Sequence, residues 1–210
     1  MGQPRGRVTR AQRRALDELL PRYDFATRPF DRDGLLGVEI GFGMGEALAH
    51  WAEGAPSWNI LGVEIYPSGV GALLNRVEAA GLENVRVAHG PAEQVLEEQL
   101  PAASVAEFRV LFPDPWPKKR HFKRRLLQPA FVSLLTSRLV EGGELYVATD
   151  WEPYAHWALE VLEAEPGLVN TAEGFSVRDE RRRETKFEAR GKRLGHAIYD
   201  LRFTRSAATG

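Results

Sequence analysis

The chain has 210 residues, 43% of them apolar and 27% charged, with a formal net charge of −1, ordinary values for one soluble globular domain with a substantial core. No apolar run approaches a membrane span, and the Arg-rich start lacks the apolar stretch of a secretory signal. With no cysteine there is neither a disulfide framework nor a thiolate metal site, and a reducing cytoplasm is the expected compartment.

Residues 1–8 read as a flexible basic N-terminus and 9–205 as a single domain. Thr9 and Gln12 have capping-box spacing and open a helix that ends near Pro21. Apolar runs at 35–40, 59–65, 84–88, 105–112 and 143–149 read as strands, the first two buried on both faces. Helical patterns at 44–53, 67–80, 91–99, 126–140 and 153–163 alternate with them. Such alternation predicts an α/β, doubly wound, mostly parallel sheet. Residues 169–177 and 196–203 complete seven strands; joined by a loop and not a helix, they should pair antiparallel. Ligands of such sheets bind beyond the carboxyl ends of the strands.

Positive charge is clustered. Five arginines lie in the first fourteen residues, six bases in 118–125 and eight in 178–193, so 19 of 28 bases occupy three windows. Three solvated surfaces would explain them; so would a polyanionic partner such as nucleic acid.

Gly41-Phe-Gly43-Met-Gly45 joins a strand to a helix, the context of a nucleotide-binding loop. Glu64 ends the second strand, where a carboxylate can accept from both ribose hydroxyls. NAD and S-adenosylmethionine both fit that much. Glu39, inside the first strand, would repel a pyrophosphate but suits a sulfonium and an ammonium group, which favours S-adenosylmethionine. Further on, Pro113, Pro115 and Pro117 bias Asp114 and Trp116 to extended geometry and hold Asp114 on a stiff rim. None of the five histidines has metal spacing: His50, His89 and His156 read as structural or surface groups, His121 and His196 as candidate RNA contacts.

GVEIGFGMGEAL (37–48), LGVEIYPSGVGALL (61–74), LFPDPWPKKRHFKRRL (111–126), ATDWEPYA (148–155) and TKFEARGKRLGHAIYDLRF (185–203) together resemble the bacterial tRNA (guanine-N7)-methyltransferase family. The resemblance runs from about Thr9 to Phe203. It implies a Rossmann-like class I methyltransferase fold with an antiparallel last strand, S-adenosyl-L-methionine without a metal, and methylation of guanosine 46 in the tRNA variable loop. It assigns Glu39, Gly41, Gly43, Glu64, Pro91 and Asp114 to the cofactor, Asp114 also to catalysis, and Lys118, Asp150, Thr185, Lys186, Phe187 and Glu188 to the substrate nucleotide. It further implies a cytoplasmic protein with a tRNA partner and no membrane, as monomer or homodimer.

Two positions depart from the family pattern. Pro91 stands where an acid is common against the adenine, with backbone contacts or Glu93 to replace it; Arg183 replaces a proline before Thr185. Guanine N7 already carries a lone pair, so the chemistry needs orientation more than a base. Asp114, Asp150 and Glu188 are the carboxylates able to accept from the guanine N1–H and N2–H₂ edge, and the sequence does not rank them. Lys118 suits a phosphate, and Trp116 or Phe187 a stacked base. Capping offers Asp150 and Thr185-x-x-Glu188 a structural role as well.

Overall fold

A computed structural model describes residues 8–180 and 182–207; the basic tail expected over 1–8 lies, except for its last residue, outside them. The chain divides into two compact units, one running to Gln99 and the other from Leu100.

The N-terminal unit begins with α1 (Arg10–Glu18), whose capping box forms: Gln12 N–H donates to Thr9 Oγ1 at 3.2 Å and Thr9 N–H to Gln12 Oε1 at 2.8 Å. A short α2 (Leu20–Tyr23) carries Pro21 in its first turn. Then β1 (Leu36–Ile40), α3 (Glu46–Gly54), β2 (Asn59–Glu64), α4 (Pro67–Ala80), β3 (Val85–His89) and α5 (Ala92–Gln99) alternate. The strands are parallel in the order β3-β2-β1, with Glu39 level with Gly62. Every β2 residue and all but the first of β1 are buried, as expected of strands covered on both faces. Leu48, Trp51, Val70, Leu73, Leu74 and Val77 form the core with Ile60, Val85 and Val87. Glycines set the spacing here. A Cβ at Gly37 would lie 2.5 Å from the Trp51 ring, and one at Gly71 would lie 2.6 Å from the Gln12 carbonyl of α1.

The C-terminal unit contains β4 (Val105–Leu111), a 3-10 helix (Lys119–Arg124), α6 (Pro129–Arg138), β5 (Leu139–Thr149), α7 (Glu152–Glu163), β6 (Leu168–Asn170), α8 (Lys186–Arg193) and β7 (Tyr199–Arg205). Their order is β4-β5-β7-β6; β4 and β5 are parallel, and β7 is antiparallel to both β5 and β6. All seven expected strands are present, and the last is the antiparallel one.

Three expectations change. β5 starts at Leu139, four residues early, because Leu139 pairs with Val105 before a register shift near Gly142, whose φ is +72°. β6 covers 168–170 rather than 169–177: Asn170 turns its side chain to Gly174 O and Ala172 N–H, and Gly174 takes a φ of +86°, so the chain bends away. Only an isolated bridge from Ser176 to Asp200 resumes the pairing. The connection to β7 is not a plain loop, for it contains α8, started by Thr185 Oγ1 accepting from Glu188 N–H at 3.1 Å.

Candidate active site

In the N-terminal unit the glycine loop follows β1, and its three glycines all lie in the left-handed region, with φ of +70° at Gly41, +58° at Gly43 and +76° at Gly45. They differ in purpose. A Cβ at Gly45 would strike Leu73 at 2.7 Å, whereas Cβ atoms at Gly41 and Gly43 would meet nothing within 4 Å. Gly45 is therefore a packing glycine, and the other two leave a bare backbone cradle. Phe42 turns inward and is buried, over Gly62, where a Cβ would sit 2.7 Å from its ring.

Glu64 fastens the loop. Its Oε2 accepts from Gly43 N–H at 2.9 Å, and its Oε1 accepts from Ile65 and Tyr66 N–H at 2.8 and 3.0 Å. A carboxylate has about four acceptor directions, so about one remains, on Oε2. Gly69 of α4 presses on the same loop; a Cβ there would lie 2.3 Å from Gly43 O. Glu39 is buried at 2% exposure within β1, next to the cradle in sequence. Pro91, exposed after β3, caps α5 by accepting from Val95 N–H at 3.1 Å, with Glu93 exposed in the first turn. The bare cradle and the two buried carboxylates fit a ligand that carries ribose hydroxyls and positive charge.

In the C-terminal unit β4 runs into Pro113-Asp114-Pro115-Trp116-Pro117. Asp114 is exposed, and the residues two before and two after it, Phe112 and Trp116, have φ of +52° and +43°. Trp116 was expected to be extended because Pro117 follows; side-chain contacts override that bias. Its ring meets the His121 edge at 5.6 Å between centroids, and Arg124 lies 5.1 Å above it. Bulky residues in this region cost about 1–3 kcal/mol each, so the surroundings must hold them there. His121 is kept below its usual pKa by burial and by the charges of Arg124, Arg120 and Lys118. Lys118 is exposed at the start of the 3-10 helix. Arg125, counted above as part of a basic surface, is buried at 3% exposure. Burial lowers its pKa.

The substrate-side residues fall into two groups. Asp150, after β5, does not cap α7; the N-cap is Trp151, with no side-chain bond. Asp150 instead lies over α8, where a Cβ at Gly191 would be 2.8 Å from its Oδ2, and that oxygen is 3.3 Å from His196 Nδ1. At the start of α8, Lys186 and Phe187 are exposed, and the Phe187 ring stacks on Phe112 at 6.4 Å and 20°.

Glu188 departs from this exposed group. It has 0% exposure, and its carboxylate accepts from Arg178 Nε at 2.8 Å and Arg182 Nη1 at 2.5 Å, with Lys192 Nζ at 3.0 Å. Its side chain is taken up by these three cations, so the second half of the capping box does not form. Arg182, itself 2% exposed, also donates to Tyr146 OH at 3.1 Å and Asp200 Oδ1 at 3.4 Å, and Tyr146 OH donates to Asp200. Burial, opposed and outweighed by its three cations, leaves the Glu188 pKa lowered. Burial raises that of Asp200, and burial with the Asp200 bond pushes Tyr146 up to about 12.

Sequence reasoning missed Arg125, Arg178, Arg182, Tyr146 and Asp200, as well as the buried Glu107–Arg109 pair of β4 at 2.6 Å. A signal existed for some of them. Glu107, Arg109 and Asp200 interrupt apolar strands just as Glu39 does, and the same argument applies to each. Among the described residues no group of acids and histidines could hold a metal, and no helix is long and apolar enough to cross a membrane.

Known proteins of similar shape place this architecture. The 16S rRNA methyltransferase KamB matches with a TM-score of 0.60 over 96% of both chains at 18% identity. A 16S rRNA (adenine(1408)-N(1))-methyltransferase from Catenulisporales acidiphilia, solved with its cosubstrate SAM, matches with a TM-score of 0.54 over 84% of this chain and 88% of that one, at 17% identity. At such identities the likeness concerns the fold alone, and that fold is the class I methyltransferase fold. In sequence, the model of the family described as "Putative methyltransferase" matches residues 33–201. The tRNA (guanine-N(7)-)-methyltransferase of Bordetella pertussis is 49% identical over 210 aligned residues, 96% of this chain and 83% of that protein. The chain belongs to the tRNA (guanine-N(7)-)-methyltransferase family.

Proposed function

We propose that the protein transfers the methyl group of S-adenosyl-L-methionine to N7 of guanosine 46 in the variable loop of tRNA, acting in the cytoplasm with residues 9–205 as one functional domain. The observation that carries this reading is the 49% identity, over 96% of the chain, to a protein bearing the tRNA (guanine-N(7)-) name. Two further features support it: a bare glycine cradle fastened to a buried carboxylate, and an exposed acid followed by bases.

When bound, S-adenosyl-L-methionine supplies an electrophilic methyl on a cationic sulfur. Gly41 and Gly43 admit it close to the backbone, the free direction of Glu64 Oε2 accepts a ribose hydroxyl, and the buried charge of Glu39 favours its cationic end. Pro91 contributes backbone contacts beside the adenine. N7 attacks with its own lone pair, so no side chain removes a proton from it. Asp114 is left to orient the base by accepting from its N–H edge and to offset the positive charge that the guanine acquires. Half-buried Asp150, whose Oδ2 lies beside His196, is the alternative acceptor. Lys118, Thr185, Lys186 and Phe187 contact the nucleotide, Phe187 by stacking, and Glu188 serves by holding that segment in place.

Incubating the protein with labelled methyl donor and unmodified tRNA, then analysing nucleosides, tests the proposal. Label in 7-methylguanosine of the variable loop is expected; label in any other nucleoside overturns it. Asp114→Ala should lower the rate on the order of a hundredfold or more, whereas Lys118→Ala should mainly weaken tRNA binding and flatten its salt dependence. Wild-type turnover by Asp114→Ala removes the catalytic assignment.

A further inference from the structure

Three prolines within five residues leave the Asp114 loop only two amide donors, those of Asp114 and Trp116, so carbonyls and side chains carry much of its anchoring. Its neighbours Phe112 and Trp116 occupy the left-handed region, which bulky residues leave unless held. The Phe187, His121 and Arg124 contacts hold those two side chains, and Arg125 holds the backbone between them. Its Nε donates to Pro115 O, one residue from Asp114, at 3.0 Å. Its guanidinium lies 3.7 Å from the centroid of the Phe122 ring, 4.6 Å from that of Trp157 and 5.4 Å from that of Tyr154. Trp157 and Tyr154 belong to α7, packed on the sheet, so the loop is fastened to a rigid element. The backbone carrying this side chain is also secured, Gln128 Nε2 donating to Phe122 O at 2.8 Å and to Arg125 O at 3.2 Å.

At 3% exposure, Arg125 has no surface to offer a phosphate, unlike the exposed Lys118, Lys119, Arg120, Lys123 and Arg124 around it. We infer that Arg125 is a positioning residue: caged by three aromatic rings, it clamps the Pro115 carbonyl and so sets where the Asp114 carboxylate stands. The inference rests on the reading of Asp114 as the catalytic acid, and it gives that reading a mechanical support.

Arg125→Met keeps the volume and loses the donor and the charge; Arg125→Lys keeps the charge in the cage but loses the planar fork. Three quantities are measured on the full chain: the single-turnover methylation rate at saturating S-adenosylmethionine and tRNA, the tRNA Kd by filter binding, and amide hydrogen exchange over residues 112–121. For Arg125→Met the rate should fall on the order of a hundredfold, the scale of an ångström's misplacement. The Kd should stay within about twofold and loop exchange should rise at least about tenfold, with Arg125→Lys recovering part of both losses. An unchanged rate and unchanged exchange overturn the inference. So does a Kd weakened about tenfold with the saturated rate intact, which makes Arg125 an RNA contact. If the wild type methylates no tRNA, the functional reading fails, and exchange alone then decides whether Arg125 holds the loop. If Arg125→Met does not fold, the same measurements on Arg125→Lys decide.

Discussion

The glycine loop of the N-terminal unit and the proline loop of the C-terminal unit reach left-handed backbone by opposite means. At Gly41, Gly43 and Gly45 the conformation is nearly free, because there is no Cβ to clash, and one carboxylate, Glu64, keeps the turn in place. At Phe112 and Trp116 it is costly, and it persists because side chains from α8 and from the adjoining 3-10 helix press upon it. A cradle for a cosubstrate needs bare backbone. A rim presenting one carboxylate needs rigidity, and prolines with an aromatic cage provide that. The same contrast separates exposed from internal charge: Lys118 and Lys186 reach solvent, while Arg125, Arg178 and Arg182 are spent within the fold.

The sharpest break in this comparison is Glu188→Ala. It strips the buried partner from Arg178 and Arg182, a change that costs about 3–5 kcal/mol where a buried pair is broken. Chemical denaturation of the variant should show that loss, and hydrogen exchange should locate it in α8. The acid arm of stability follows from the same carboxylate. With its pKa lowered in the fold, Glu188 contributes fully above the ordinary carboxylate value and loses that contribution as pH falls through its folded value. Asp200, raised by burial, works the other way, so stability gains as it takes up a proton. Glu188→Gln should therefore flatten the fall in stability at low pH relative to wild type, measured by denaturation across pH; an identical acid arm argues that Glu188 is not the group responsible.

Smaller effects sharpen the glycine side. Gly69→Ala places a Cβ 2.3 Å from the Gly43 carbonyl, a backbone atom that cannot swing aside, and should lose about 1–3 kcal/mol of stability together with cosubstrate affinity. Gly43→Ala meets no neighbour but adopts a φ of +58°, so stability should drop by only about 1 kcal/mol. Its cosubstrate affinity, read by calorimetry, should nonetheless fall by about tenfold or more, because the methyl fills the cradle. Equal losses of stability in the two variants would dissolve the distinction between packing glycine and cradle glycine.

Much of this molecule was legible beforehand, and particular residues show why. α4 was bounded correctly at 67 and 80 because Pro67 and Gly81 mark its ends, and the Thr9–Gln12 box is a contact across one turn. Glu39 stands out in the sequence because it is an acid inside an apolar strand. Asp200 carries the same mark inside β7, and its role appears only with Arg182 and Tyr146 beside it. Trp116 departs from the extended geometry that Pro117 favours because the overruling contacts, from His121 and Arg124 five and eight residues on, depend on how the 3-10 helix sets those side chains.

By itself the amino-acid sequence determined the seven strands, the glycine turn, the acid within the first strand and the candidate chemistry, since each depends on periodicity, backbone freedom or residue type within a few positions. Only the tertiary structure decided which charges serve the fold and which face outward. Lys and Arg carry their charge on long stems, and whether that charge ends in water, on a carboxylate or beneath three aromatic rings depends on how other segments fold around it, from six residues away for Arg182 and Glu188 to about thirty for Arg125 and α7.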